Sequence, residues 1–163
     1  MTTGRRVPVY FHNEHRQLPW CREQWPVPRV EINPEDALEL GIEQGDWVWI
    51  ESKWGKIRQC ADLYYGINKG VVNCEHQWWL PEFSGATKGF DLVNVNCLTD
   101  KNAQCPIGGA TNVRAYPVKL CKATPENSPY DNPVPCDVDG TEMITSPDDP
   151  RLKEWLPTYE GRE

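Results

Sequence analysis

The sequence predicts a mainly β domain, and three observations favour a small closed barrel. Residues of high β-propensity gather in short runs such as Trp47-Val48-Trp49-Ile50. The chain contains 15 Pro and 12 Gly, which favours many turns and short elements over a helical bundle. One short helix has clear capping signals. Because closure removes exposed sheet edges, a closed barrel is the architecture expected for such strands.

The first strand is expected at residues 7–11, with Pro8 near its start, where a missing N–H has little effect. Arg5-Arg6 could begin a twin-arginine export signal, but the apolar run that follows stops after five residues. A signal needs roughly 7 to 15 apolar residues. Residues 17–30 predict a short helical piece and then an extended segment, because their prolines forbid a long helix.

The clearest local signal is the short capped helix. Asn33 can cap it, and Pro34 suits its first position, where no N–H is needed. The carboxylates of Glu35 and Asp36 lie favourably near the positive end of the helix dipole. Gly41 fits a left-handed C-terminal cap, so we expect about two helical turns.

Further strands are expected over residues 47–52, 57–63, 71–74 and 113–123. The first two form a hairpin around a turn at residues 53–56. The faces of its return strand are expected to alternate, with Ile57, Gln59, Ala61 and Leu63 opposite Arg58, Cys60 and Asp62. Residues 75–112 show little periodicity and are rich in Trp, His and Asn, which is typical of a binding loop.

Composition and charge argue against several classes of protein. The chain has 17 basic and 24 acidic residues, a net charge of -7, whereas a duplex nucleic-acid binder normally has a basic face. Mean hydropathy is -0.66, and no stretch approaches the roughly 18 apolar residues of a membrane span. We expect a domain over residues 1–123 and a proline-rich acidic extension over residues 124–163, with one short helix at residues 148–156.

Seven cysteines at irregular spacing form a poor disulfide framework. No Cys-x-x-Cys or zinc-finger spacing is present. We therefore expect buried or partly buried thiols in a reducing compartment. A bond between Cys97 and Cys105 is the alternative if the two lie in one loop.

Four blocks occur in one order along the chain. They are YFHNEHRQ at residues 10–17, EINPEDALELGIEQGDWVWIESKWG at 31–55, the strand and loop at 69–79, and NVNCLT at 94–99 followed by Gly108-Gly109. Together they resemble the C-terminal molybdopterin-dinucleotide-binding domain of the DMSO reductase family. The resemblance covers roughly residues 7–123.

The resemblance implies a six-stranded double-psi β-barrel of the aspartate-decarboxylase-like kind. It implies bis(molybdopterin guanine dinucleotide) with Mo or W as the cofactor, clamped jointly with other domains of a larger anaerobic-type oxidoreductase. The expected partners are the remaining domains of the same catalytic subunit, with an iron–sulfur electron-transfer subunit as a further candidate. Catalytic and metal-ligating residues are expected in those other domains, and none is assigned here.

The resemblance places the candidate cofactor contacts at His12, Asn13, Glu14, His15, Arg16, His76, Gln77, Asn94, Asn96 and Gly108. Arg16 can bind a pyrophosphate or a pterin carbonyl through paired N–H groups. The amide of Asn13 can donate to and accept from a pterin or guanine edge. Asn96 is preferred to Asn94, because it lies closer to the Leu-Thr of its block.

Each contact has a structural alternative. Residues 12–16 could be a solvated polar turn, and Trp78 and Trp79 could fill the barrel mouth or a domain interface. The Asn94–Asn96 run could be an ordinary turn, and Gly108-Gly109 a plain hairpin turn.

Two other functions remain open. A free-standing barrel could serve as a partner subunit, or the eight Trp could form a carbohydrate-binding module by stacking. A self-cleaving aspartate decarboxylase shares the implied fold, but it needs a Gly-Ser bond, and the chain contains no Gly-Ser dipeptide. Binding of guanine nucleotides would favour the cofactor-binding domain, whereas binding of sugars would favour the carbohydrate-binding module.

Overall fold

Six strands form one mixed sheet in the computed structural model, which describes residues 1–5, 9–81, 83, 85–112 and 114–128. The strands are β1 Thr2–Arg5, β2 Arg29–Ile32, β3 Trp47–Glu51, β4 Lys56–Leu63, β5 Val72–Glu75 and β6 Lys119–Lys122. Their order is β1-β5-β2-β4-β3-β6. The pairs β1–β5 and β2–β4 are parallel, and the other neighbours are antiparallel. The mainly β prediction is confirmed.

The prediction of a closed barrel is wrong for the described residues, since the sheet is open between β1 and β6. The two edges approach each other where the amino group of Met1 donates to the carbonyl of Tyr116, at 2.7 Å. Residues 115–118 are not extended into a strand there, and Pro117 has no N–H to donate to a ladder. The edges therefore meet without pairing.

The first strand is displaced from its predicted place. β1 is Thr2–Arg5, whereas residues 9–11 are not a strand and residues 6–8 lie outside the described part. Tyr10 is buried, and its hydroxyl donates to the carbonyl of Trp25 at 2.7 Å. The apolar run that suggested a strand instead directs Tyr10 into a small core.

Within the described residues, three short α-helices lie between the strands: α1 Pro19–Gln24, α2 Pro34–Glu39 and α3 Phe90–Val93. The capped helix is confirmed as α2. The side chain of Asn33 accepts from the N–H of Glu35 at 3.0 Å, and Gly41 after the helix has a φ of 65°. The segment at residues 75–112 is largely irregular, apart from α3 and a 3-10 turn at Val95–Leu98.

The hairpin of β3 and β4 is also confirmed. Its turn is closed by the N–H of Ser52, which donates to the carbonyl of Gly55 at 2.9 Å. The alternating faces of β4 are not seen as alternating burial, because residues 57–61 are all buried. The last strand is shorter than predicted, since β6 occupies only Lys119–Lys122 of residues 113–123.

Two hydrophobic cores support the sheet and the loops. The first lies against the sheet and includes Val30, Ile32, Val48, Ile50, Ile57 and Leu98. The second lies beneath the loops at residues 9–25 and 76–93 and consists of Tyr10, Cys21, Trp78, Leu80 and Val93. The second core positions the candidate site.

The six described cysteines are free thiols, so the alternative bond between Cys97 and Cys105 is not formed. Burial raises the pKa of Cys60 and of Cys74 to about 12. In the described part of the chain, no helix is long and apolar enough to cross a membrane. The predicted helix at residues 148–156, most of the extension and Cys136 lie outside the described residues. The boundary at residue 123 stays a prediction.

Candidate functional site

A cavity of about 560 Å³ brings together three of the four sequence blocks. Among the candidate contacts, it is lined by Asn13, Gln77, Asn94 and Asn96. The remaining lining residues are Trp79, Ala86, Thr87, Lys88 and Phe90. Loops far apart in the sequence thus converge on one polar cavity.

The first wall is the loop at residues 12–16. His12 has a φ of 53° and His15 a φ of 69°, conformations that cost a residue other than glycine about 1 kcal/mol. Such conformations persist where the surroundings hold them. Nδ1 of His12 lies 2.8 Å from Oε1 of Gln77 in a hydrogen bond, which joins this wall to the next.

Arg16 lies beneath that loop rather than in the cavity lining. Its guanidinium is stacked between the rings of Tyr10 at 3.8 Å and Trp78 at 4.1 Å. Nη2 donates to the carbonyl of His12 at 3.1 Å, while Nε and Nη1 are buried without a hydrogen-bond partner among the described residues. Burial lowers the pKa of Arg16 to about 10, so the buried cation is only partly compensated.

The second wall is formed by Gln77 and Trp79, on either side of Trp78. Gln77 has a φ of 59°, and Nε1 of Trp79 donates to the carbonyl of Asn13 at 2.8 Å. Trp78 is fully buried in the second core rather than at a barrel mouth, whereas Trp79 lines the cavity. His76 lies beside this wall, with its ring 5.8 Å from that of His12.

The third wall begins at Asn94, which is 3% exposed. Its Nδ2 donates to the carbonyl of Trp78 at 2.8 Å, and its Oδ1 accepts from the N–H of Asn96 at 3.0 Å. Both ends of this amide are therefore used within the fold. Asn96 is exposed, and its side chain makes no hydrogen bond to the described residues, so its amide is available to a ligand.

Six of the ten candidate contacts lie outside this lining: His12, Arg16 and His76, which are described above, and Glu14, His15 and Gly108. Glu14 is exposed and His15 is half-buried on the outer side of the first loop. Gly108 is exposed in a turn near Cys105, and a β-carbon added there would meet nothing within 4 Å. All ten cofactor contacts remain predictions, whether or not they line the cavity.

Lys88 is a lining residue that sequence reasoning missed. It is exposed and has a φ of 46°, immediately before Gly89, whose φ is 66°. Thr87-Lys88-Gly89 lies in a turn-rich stretch, where a single lysine carries no distinctive signal. Its position next to the amides appears only in three dimensions.

Comparison with known proteins assigns the domain. The family model described as "Molydopterin dinucleotide binding domain" matches residues 1–117. The chain is a molybdopterin dinucleotide-binding domain of the DMSO reductase family. This confirms the resemblance found in the sequence blocks.

The molybdopterin dinucleotide-binding domain is similar to several larger proteins. It is 68% identical over 162 residues to dopamine dehydroxylase of Eggerthella lenta, covering 99% of this chain and 16% of that protein. It is 44% identical over 51 residues to formate dehydrogenase H of Escherichia coli, covering 31% of this chain and 7% of that protein. The chain thus spans a small part of the length of these relatives.

A solved structure supports the fold of the molybdopterin dinucleotide-binding domain. Acetylene hydratase from Pelobacter acetylenicus aligns with a TM-score of 0.69 and 23% identity. The alignment covers 75% of this chain and 18% of that chain.

The lining of the cavity is suited to binding rather than to acid–base chemistry. Within the part of the chain that the structure describes, it contains amides, a hydroxyl, two aromatic rings and the cation of Lys88, and neither a carboxylate nor a histidine. Among the described residues, no three His, Cys, Asp or Glu side chains gather into a group that could hold a metal ion. The domain therefore presents directional hydrogen-bonding groups to a polar ligand.

Proposed function

We propose that this domain binds one end of bis(molybdopterin guanine dinucleotide) in the cavity formed by Asn13, Gln77, Asn96 and Lys88. In this proposal the domain is part of a larger catalytic subunit containing Mo or W, and an iron–sulfur subunit supplies or removes electrons. The observation that carries the proposal is the convergence of separate sequence blocks on one polar cavity.

The donor set of the cavity fits such a ligand. Guanine and pterin edges place donors beside acceptors, and the amides of Asn13, Gln77 and Asn96 offer both. Lys88 can neutralise a phosphate oxygen. The volume of about 560 Å³ lies within the range of small-molecule sites, so it suits part of a large ligand shared with other domains.

The buried guanidinium of Arg16 adds a second indication of fit. Its Nε and Nη1 have no partner, and a fold that retains unsatisfied donors commonly does so for function. An anionic group bound above the loop at residues 12–16 would lower the electrostatic cost of the Arg16 cation buried beneath it. The metal–pterin group supplies the redox chemistry when it is bound, and the residues of this domain bind and orient it.

We further propose the double-psi arrangement for the six strands. The two parallel pairs, β1–β5 and β2–β4, within an otherwise antiparallel sheet support it.

The reaction class we favour is reductive removal of a hydroxyl group from a catechol. The support is the 68% identity to dopamine dehydroxylase, maintained over 99% of this chain. The residues that select the substrate would lie in the other domains of the subunit.

The cofactor-binding proposal is tested on the full-length enzyme that contains this domain. Gln77→Ala and Asn96→Ala are compared with Asn102→Ala, a matched change of an exposed residue outside the cavity lining. Guanine nucleotide released by acid and metal content are measured per polypeptide. We expect both to fall in the two cavity variants and to match wild type in the control, whereas equal contents in all variants would reject the proposal.

The size of the native protein tests whether the domain is part of a larger subunit. An antibody raised to this domain should detect, in the source cells, a band several times larger than 18.7 kDa. A band of 18.7 kDa would favour the free-standing alternative instead.

A further inference from the structure

We propose that Glu75 is a positioning residue for the cofactor cavity, because its buried carboxylate holds Trp78, to which all three walls are attached. This inference rests on the proposed function. It concerns how the cavity keeps its shape, since Glu75 itself does not line it.

Glu75 ends β5 and is 1% exposed. Its carboxylate accepts from Nε1 of Trp78 at 2.8 Å and from Nε1 of Trp25 at 2.8 Å. It also accepts from the backbone N–H of Arg29 at 3.1 Å. A buried carboxylate is costly unless such donors surround it, so this position requires an acceptor-only side chain.

Trp78 connects Glu75 to the second and third walls of the cavity. Gln77 and Trp79, its neighbours in the chain, both line the cavity. The carbonyl of Trp78 accepts from Nδ2 of Asn94 at 2.8 Å, which places the third wall. A change in the orientation of the Trp78 indole would therefore move both walls.

The first wall is attached through Arg16. Its guanidinium lies over the Trp78 ring at 4.1 Å and holds the carbonyl of His12 at 3.1 Å. Burial lowers the pKa of Arg16, and the nearby carboxylate of Glu75 acts in the opposite direction. The negative charge of Glu75 thus helps to keep Arg16 charged beneath the loop.

The substitution Glu75→Gln tests the charge and the acceptor role of the carboxylate without changing the size of the side chain. It keeps the shape of the side chain, but it removes the charge and introduces an NH2 group that faces indole or backbone donors. Trp78→Phe removes one of those donors and keeps a ring for Arg16 to stack on. The two substitutions should therefore be strongly non-additive.

The experiment compares four variants of the full-length enzyme with wild type: Glu75→Gln, Trp78→Phe, the double variant and Glu31→Gln. Glu31 is a matched control, a carboxylate on β2 that accepts from Asn73 at 2.7 Å and lies outside the cavity lining. Guanine nucleotide retained after gel filtration is measured per polypeptide, below the unfolding midpoint of each variant.

We expect Glu75→Gln to lower retained nucleotide by about fivefold or more, the cost of one unsatisfied buried group. Trp78→Phe alone should lower it about threefold, the effect of one lost hydrogen bond. The double variant should match Trp78→Phe alone, and Glu31→Gln should match wild type. If Glu75→Gln does not fold, Trp78→Phe is compared with Trp54→Phe, at a partly exposed Trp, to test the hydrogen bond from its indole side, and equal retention in these two variants would overturn the inference.

Retention in Glu75→Gln equal to that in Glu31→Gln would overturn the inference. So would a double variant with the full loss of Glu75→Gln, because the effect would then not pass through the indole. Wild-type enzyme without guanine nucleotide would instead overturn the proposed function itself.

Discussion

The carbonyl oxygen of Cys97 occupies the space into which a β-carbon on Gly55 would project. Gly55 lies in the turn between β3 and β4, and Cys97 lies in the 3-10 turn that follows Asn94. The hydroxyl of Ser52 donates to the carbonyl of Leu98 at 2.9 Å in the same region. The hairpin turn thus packs directly on the segment that carries the third wall of the cavity.

Gly55→Ala is expected to destabilise the domain by about 2 kcal/mol, because the added methyl group meets backbone that has no rotamer to adjust. Urea unfolding of the two proteins measures the difference. Gly108→Ala is the control, since a β-carbon there meets nothing within 4 Å. Equal losses in the two variants would contradict the close packing of the hairpin turn.

Asn94→Ala should lower the free energy of unfolding, whereas Asn96→Ala should leave it almost unchanged. Asn94 makes two hydrogen bonds from a buried position, so its loss should cost about 1 to 3 kcal/mol of unfolding free energy. Asn96→Ala should leave that free energy within about 0.5 kcal/mol of wild type, since its side chain is exposed. Thermal and urea unfolding would show the contrast, and a larger loss in Asn96→Ala would refute it.

Arg16→Met should have little effect on stability. The variant removes a buried charge whose Nε and Nη1 have no hydrogen-bond partner among the described residues, and an apolar replacement of such a group is often neutral to within about 1 kcal/mol. In the full-length enzyme the same variant should retain less guanine nucleotide than wild type, because the loop at residues 12–16 loses its anchor. Normal retention would show that Arg16 is a packing residue alone.

The domain should lose stability as the pH rises above about 9, where thiols of the unfolded chain ionise. In the folded state, burial raises the pKa of Cys60 and Cys74 to about 12, so these thiols stay protonated. The folded state then binds more protons than the unfolded state, and each thiol removes about 1.4 kcal/mol per pH unit. The stability that these two protonated thiols contribute is fully present below the thiol pKa of the unfolded chain. It is lost as the pH rises toward their folded pKa of about 12.

Cys74→Ala tests this origin of the alkaline instability. Between about pH 9 and 11, the free energy of unfolding should fall less steeply with pH in the variant than in wild type. The expected difference in slope is about 1.4 kcal/mol per pH unit, the contribution of one thiol. The slopes are compared rather than the absolute values, because the variant also leaves a small cavity. An unchanged slope would show that other groups dominate the alkaline transition.

Cys105 should react first with iodoacetamide among the six described thiols. It is exposed, and hydrogen bonds from the backbone of Gly108 and Ile107 lower its pKa. Burial raises the pKa of Cys21 and Cys97, which disfavours their reactive thiolates. Peptide mass mapping over time gives the order, with Cys105→Ser as the control, and faster labelling of Cys97 would contradict it.

Elements with complete local signals were predictable from the sequence. The cap at Asn33 and the glycine at Gly41 delimit α2 within a few residues, and the hairpin around Gly55 follows from its turn. The strand expected at residues 7–11 failed because an apolar run of that length is equally suited to a buried loop. Tyr10 is buried in that loop through contacts with residues far away in the chain.

The cavity was predictable only in outline. Resemblance pointed to Asn13, Gln77 and Asn96, which do line it, but the chain order of residues cannot show which side chains face inward. Arg16 and Glu75 illustrate the limit, because charged residues are usually solvated and both are buried here. Their places depend on Trp78, whose packing involves distant segments.

The open sheet also affects how the domain behaves when it is prepared on its own. Unpaired strand edges can pair with other copies of the same protein and so promote aggregation. Lys119 puts a positive charge on β6, which discourages such pairing at that edge, whereas Lys122 is paired with Asp46 at 2.7 Å. At the opposite edge the half-buried Thr2 of β1 carries no such charge, so the N-terminal edge is expected to limit the concentration at which the isolated domain stays in solution.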